Sequence, residues 1–267
     1  MHYNKINLVH IPKTAGWYIR EELLDYVLDP LREKGVNYLE MKDHYHTGWT
    51  LVDDQTYAIS SWRDPVRRLA SHFIYLIGLR DYYYLACHSN DYPYRQLALS
   101  IVNNTKQVWN YYPTIKSFFE WIEDNKEYLK NYQAKNIMLD YNINDHQLFW
   151  NDFYFELVGK GLKKEQVYYR LGKINILLRD GQLHESNMKK LREKIKLDFD
   201  LKSVEQKNNY WGNTISVSPW NDGHNIFPPC QELYNDLSQK QKDYIYNFND
   251  IDTEIYNDYS LFWNNGL

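Results

Sequence analysis

Two short stretches carry the residue types that bind and transfer anionic groups. The first is HIPKTAGWY, His10 to Tyr18, where Lys13 brings a point charge, Thr14 a hydroxyl and Gly16 a backbone that a ligand can approach closely. The second is SSWRDPVRRLASHFIYL, Ser60 to Leu76, where the Arg63 guanidinium is followed eight residues later by the Ser71 hydroxyl. A guanidinium with a supporting hydroxyl suits a phosphate. Nucleotide-triphosphate loops of the GxxxxGK[ST] type place glycines before the lysine, and here the order is reversed. Between the two stretches, DHYHTGW offers His44 and His46, imidazoles whose ordinary pKa suits a general base near neutrality.

The elements that must position these groups are legible from apolar patterning. Ile6 to Ile11 (INLVHI), bounded by Pro12, reads as a buried strand. From Ala15 to Val27, the residues Ile19, Leu23 and Val27 mark one face of a helix that should end before Asp29-Pro30. Tyr57 to Trp62 (YAISSW) reads as a second strand. Asp64 is then an N-cap and Pro65 the first helical residue, with Val66, Leu69, Ala70, Phe73, Ile74 and Ile77 on one helical face. Two strand-loop-helix units in succession predict an α/β fold with a parallel sheet. They put both anion-competent loops at the carboxyl ends of strands, where open α/β sheets bind ligands. The helix N-termini would add free N–H groups and the positive end of the helix dipole, a natural anion site.

Further along, residues 80 to 115 are rich in Tyr, Asn and His and read as irregular or short-helical surface. Helices are expected at Ser117–Leu129, Lys163–Leu171 and Met188–Ile195, with a terminal helix or pair of helices at Ser238–Tyr259. A third strand is expected at Phe153–Val158 and a loop at Tyr210–Asn225. With no repeat and no linker composition, the 267 residues are read as one domain, 1–267.

The net charge of -4 gives no basic surplus for nonspecific nucleic-acid binding. Cys87 and Cys230 stand far apart, outside any CxxC pair, and read as reduced thiols rather than a zinc site or disulfide framework. With no h-region and no run of about 18 apolar residues, neither secretion nor a membrane span is expected, and the chain reads as cytoplasmic. The 26 tyrosines reflect either AT-rich coding composition or aromatic surface for stacking on sugars or bases.

HIPKTAG resembles the 5′-phosphosulfate loop of sulfotransferases that use 3′-phosphoadenosine 5′-phosphosulfate (PAPS), and SSWRDPVRRLASHFIYL resembles their 3′-phosphate motif. The chain is most similar to the carbohydrate type, related to heparan sulfate and uronyl 2-O-sulfotransferases and their bacterial relatives. Fainter likenesses are FYFELVG to a later strand, VEQKNN (Val204 to Asn209) to a nucleotide-covering loop ending in asparagine, and LSQKQKDYIYNFNDIDTEIY to the terminal helix. The resemblance implies a P-loop-NTPase-like three-layer fold, a central parallel sheet flanked by helices. It implies that PAPS is the co-substrate, with no metal, and that the acceptor is a hydroxyl, that of a carbohydrate. Lys13 would contact the phosphosulfate, and backbone amides from Thr14 to Tyr18 would hold the 5′-phosphate. Arg63 and Ser71 would hold the 3′-phosphate, and Asn208 and Asn209 would close over the nucleotide. His44, followed by Gly48 as in the bacterial members, is slightly preferred as the base. His46, the second histidine of an HxH as in the 2-O group, is the alternative.

Two positions depart from the family. Trp17 stands where a phosphate-binding Thr or Ser is usual, and Arg67 where an acidic residue is common. Two other readings therefore stand beside the first. A P-loop-like kinase would need GxxxxGK[ST] and a Mg²⁺-binding Asp after a second strand, and the former is absent. A catalytically inactive sulfotransferase-like module would bind nucleotide or glycan without transferring sulfate.

Overall fold

The computed structural model describes residues 3–11, 14, 19–20, 23, 25–39, 52–87, 110–138, 159–201 and 230–263. In chain order its elements are β1 (Lys5–Val9), α1 (Asp25–Glu33), β2 (Asn37–Leu39), β3 (Thr56–Trp62), α2 (Pro65–Cys87), α3 (Ile115–Asp124), α4 (Lys126–Leu129), α5 (Tyr132–Met138), α6 (Lys164–Leu171), β4 (Ile176–Arg179), α7 (Glu185–Asp198), α8 (Cys230–Asp236), α9 (Gln239–Phe248) and α10 (Asp250–Asn257). The chain divides into two compact units. One comprises Met1–Asp64, Asn131–Asn213 and Asp250–Leu267, and the other Pro65–Lys130 and Thr214–Asn249.

The first unit is α/β. Among the described residues its sheet has four strands in the order β2-β1-β3-β4, every pair parallel. In register, Val9 faces Ser60 and Trp62 faces Arg179, so β1, β3 and β4 end close to one level. Every residue of β3 is buried, which is why its sequence reads as a nearly continuous apolar run rather than an alternation. The side chains still alternate between two cores. Ile6, Leu8, Tyr57, Ile59, Ile176 and Leu178 pack with Val27 and Leu31 of α1 and Met188, Leu191 and Ile195 of α7. Val9, Ala58, Trp62 and Leu177 pack with Ala134 of α5, Val167 of α6 and Ile255 of α10. The sheet is thus covered by helices on both faces, and the strand order reverses direction between β1 and β3.

Both strand-loop-helix expectations hold where residues are described, and their boundaries sharpen. Ile19, Leu23 and Val27 are fully buried, as their spacing requires. The helix does not stop before Asp29-Pro30, however; α1 runs through Pro30 to Glu33. A proline inside a helix costs about 3 kcal/mol. Burial of Val27, Leu28 and Leu31 returns roughly 1.5–3 kcal/mol each, which outweighs it. The helix ends instead at Glu33, just before Gly35, whose φ of 75° permits the Gly35 and Val36 amides to bond back to Arg32 and Leu31. β4, within KINILLRD, was not foreseen, nor were β2, α5 and α8. The expected strand at 153–158 and loop at 210–225 lie outside the described residues.

The second unit is helical among its described residues. α2 begins at Pro65 as the sequence indicates and continues to Cys87, so of the two readings of the stretch from residue 80, irregular or short-helical, residues 80–87 take the helical one as part of a long helix. Its expected apolar face is buried, from Val66 at 0% to Ile77 at 0%. α2 packs on α8 and α9. Phe73 also meets Phe118 and Trp121 of α3, with ring centroids 5.4 and 5.2 Å apart. α3 is capped by Thr114, whose hydroxyl accepts the Ser117 amide, and α9 by a Ser238–Gln241 capping box.

Candidate functional site

The site is built at the carboxyl edge of the parallel sheet, where β1, β3 and β4 hand over to their loops. At the exit of β1, Thr14 is 1% exposed and its hydroxyl lies 2.8 Å from the Ile11 carbonyl and 2.9 Å from Ser61 Oγ. Ser61 Oγ in turn lies 2.6 Å from the Thr14 carbonyl. Two hydroxyl protons serve these three contacts. The arrangement that satisfies both carbonyls has Thr14 donating to Ile11 and Ser61 donating to Thr14. The Thr14 amide also faces the Ile11 carbonyl, at 3.4 Å. The Ser61 hydroxyl therefore pins Thr14 to β3, and the Thr14 hydroxyl is spent on the Ile11 carbonyl rather than presented outward. Downstream, the backbone of Ile19, Arg20 and Leu23 is helical.

At the exit of β3, the main chain of Arg63 is gripped at both polar atoms by one side chain. Gln133 Oε1 accepts the Arg63 N–H at 2.9 Å, and Gln133 Nε2 donates to the Arg63 carbonyl at 2.8 Å. A carboxamide has the donor and acceptor of a peptide unit, so Gln133 extends the ladder one residue beyond the strand. Gln133 is 0% exposed and sits in the first turn of α5. That turn is held from α10: the Asp252 carboxylate accepts the amides of Gln133 and Ala134 at 2.9 and 2.8 Å. The favour is returned by Asn131 Oδ1, which accepts the Ile251 and Asp252 amides at 3.1 and 3.3 Å. Trp62 closes the ring of contacts, its indole N–H donating to the Asp252 carbonyl at 3.2 Å. A buried carboxylate is tolerated here because helix amides and the positive end of the α5 dipole face it.

At the exit of β4, an Arg-Asp pair repeats the one after β3. Arg179 lies with its guanidinium 3.8 Å from the Tyr256 ring centroid and 4.2 Å from that of Tyr259. Asp180 Oδ1 accepts the Tyr256 hydroxyl at 2.9 Å, and Oδ2 faces the Asp64 amide at 3.4 Å. Burial, and next the Asp180 charge, push the Tyr256 phenol above its usual range, so it stays a donor. Sequence reading missed both Gln133 and this second pair. The available signal was the recurrence of Arg-Asp after an apolar run, SSWRD and ILLRD.

Of the residues expected at the site, Thr14 and Arg63 belong to the same unit, and the Thr14–Ser61 bonds join their loops. Ser71 is half-buried on α2 and belongs to the other unit. Lys13, Ala15, Gly16, Trp17, Tyr18, His44, His46, Asn208 and Asn209 lie outside the described residues. Among the described residues, no group of three or more His, Cys, Asp or Glu side chains converges to hold a metal ion. No described helix is long and apolar enough to cross a membrane. Comparison of the chain with family models, curated proteins and solved structures gives no match, so the reading of this edge rests on its own chemistry.

Proposed function

We propose that the chain is a sulfotransferase that moves a sulfuryl group from PAPS to a carbohydrate hydroxyl, on a P-loop-NTPase-like fold. One observation carries the reading. The two loops with anion-binding residue types leave adjacent parallel strands, β1 and β3, at the place where the strand order reverses. The fixed main chain of Arg63 fits the same reading, because an anion contact needs a guanidinium on a rigid base.

The nucleotide, when bound, supplies the sulfuryl group. Lys13 and the amides from Ala15 to Tyr18 hold its 5′ end, the expected Thr14 amide being bonded to the Ile11 carbonyl instead, and Arg63 and Ser71 hold its 3′-phosphate. With Trp17 in place of a hydroxyl residue and the Thr14 hydroxyl turned inward, backbone amides and Lys13 carry the 5′ contact. Lys13 neutralises the charge that builds on the departing phosphate, where fixed positive groups act most strongly. His44, or His46 in its place, takes the acceptor's proton, since a hydroxyl far above neutrality in pKa needs a base. The reading is tested by transfer of radiolabelled sulfate from PAPS to a panel of glycans. Labelled product is expected. Nucleotide binding without labelled product favours an inactive binding module, and Mg²⁺-dependent phosphate transfer from ATP favours a kinase.

A further inference from the structure

We infer that Gln133 is a positioning residue for the anion contact of Arg63, held in register by Asp252; this rests on the reading of Arg63 as a nucleotide ligand. β3 ends at Trp62, so the Arg63 N–H and carbonyl have left the strand ladder. Both are nonetheless paired, and both partners are atoms of the same fully buried carboxamide. A two-point grip fixes the plane of the main chain at Arg63 and so the direction in which its Cα–Cβ bond leaves. A single hydrogen bond would leave rotation about that contact free.

The grip is itself fixed. Gln133 has its own amide on Asp252 Oδ2, and the neighbouring Ala134 amide is on Oδ1 of the same carboxylate. Asp252 is 1% exposed and is anchored through its own amide by Asn131. Its carbonyl receives the indole of Trp62, the residue before Arg63. The chain of contacts therefore starts at Trp62, passes through Asp252 and Gln133, and returns to Arg63. A mere packing role would be met by any apolar side chain of similar volume, and would not require two hydrogen bonds from one carboxamide to the Arg63 main chain.

The test compares Gln133→Leu, Gln133→Glu, Arg63→Ala and the Gln133→Leu/Arg63→Ala double variant in the full chain. Two quantities are read: hydrogen exchange of the Arg63 amide and affinity for 3′-phosphoadenosine 5′-phosphate. Gln133→Leu should accelerate exchange at Arg63 about tenfold or more while the amides of β1 keep their protection. It should weaken the nucleotide by a factor close to that of Arg63→Ala, and the double variant should be no weaker than Arg63→Ala alone. Gln133→Glu supplies an acceptor but a donor only when protonated, so its affinity should recover as pH falls, unlike that of the leucine variant. This second variant also decides the matter if Gln133→Leu does not fold. Unchanged exchange at Arg63, unchanged affinity, or additive losses in the double variant would each overturn the assignment. If the unaltered chain does not bind the nucleotide, the functional reading falls, and the grip is decided by the exchange rate alone.

Discussion

Thr14 illustrates how a residue type can be right for a site and its side chain be spent elsewhere. Its hydroxyl donates to the Ile11 carbonyl in a buried corner beside Ser61. Thr14→Val should cost about 1–3 kcal/mol in urea unfolding, because it strands the Ile11 carbonyl that the hydroxyl serves. Thr14→Ser, which keeps the oxygen, should lose less than half as much. Lys13→Ala and Arg63→Ala each remove a charge-assisted contact worth roughly 1.5–3 kcal/mol, so each should weaken 3′-phosphoadenosine 5′-phosphate about 10- to 150-fold by calorimetry. His44→Ala or His46→Ala should instead lower sulfate transfer and leave nucleotide affinity nearly unchanged. Full activity in both histidine variants would remove histidine from the proposed chemistry.

Elements differ in how plainly the sequence announces them. β3 and the helix after it were legible because a short apolar run meets Asp64-Pro65, and because Val66, Leu69, Ala70, Phe73, Ile74 and Ile77 keep helical spacing. β4 was not, since INILL is too short to separate a buried strand from a helical segment by period alone. The end of α1 was misplaced because proline is a local signal, while burial of Leu31 is a tertiary one. Gln133 was invisible for the same reason: its partner lies 70 residues away. β1 carries one unusual residue, Asn7, which is 0% exposed and whose carboxamide has no hydrogen-bond partner among the described residues. Asn7→Val replaces an unpaired polar group with a β-branched one, and should raise unfolding free energy by about 1–3 kcal/mol. A loss of stability would mean that Asn7 is satisfied by a bound water.

For the molecule as a whole, the abundance of tyrosine has a consequence in alkali. Burial, and next the hydrogen bond to Asp198, push the Tyr57 phenol well above its usual range. Burial and then Asp124 raise Tyr111 to about 12, and burial and then Glu254 raise Tyr168 to about 12. These groups hold their protons longer in the folded chain than in the unfolded one. Their contribution is therefore complete below about pH 10 and is lost as pH rises through 10 towards the folded values. Tyr57 alone should remove about 1.4 kcal/mol per pH unit above 10, measured by denaturant midpoints across pH 9 to 12. The central claim concerns function and is tested most directly by titrating the unaltered chain with 3′-phosphoadenosine 5′-phosphate in a calorimeter, without metal. Saturable binding that is weakened by removing the 3′-phosphate is the predicted result. No heat of binding, or equal binding of the nucleotide lacking that phosphate, would contradict the account.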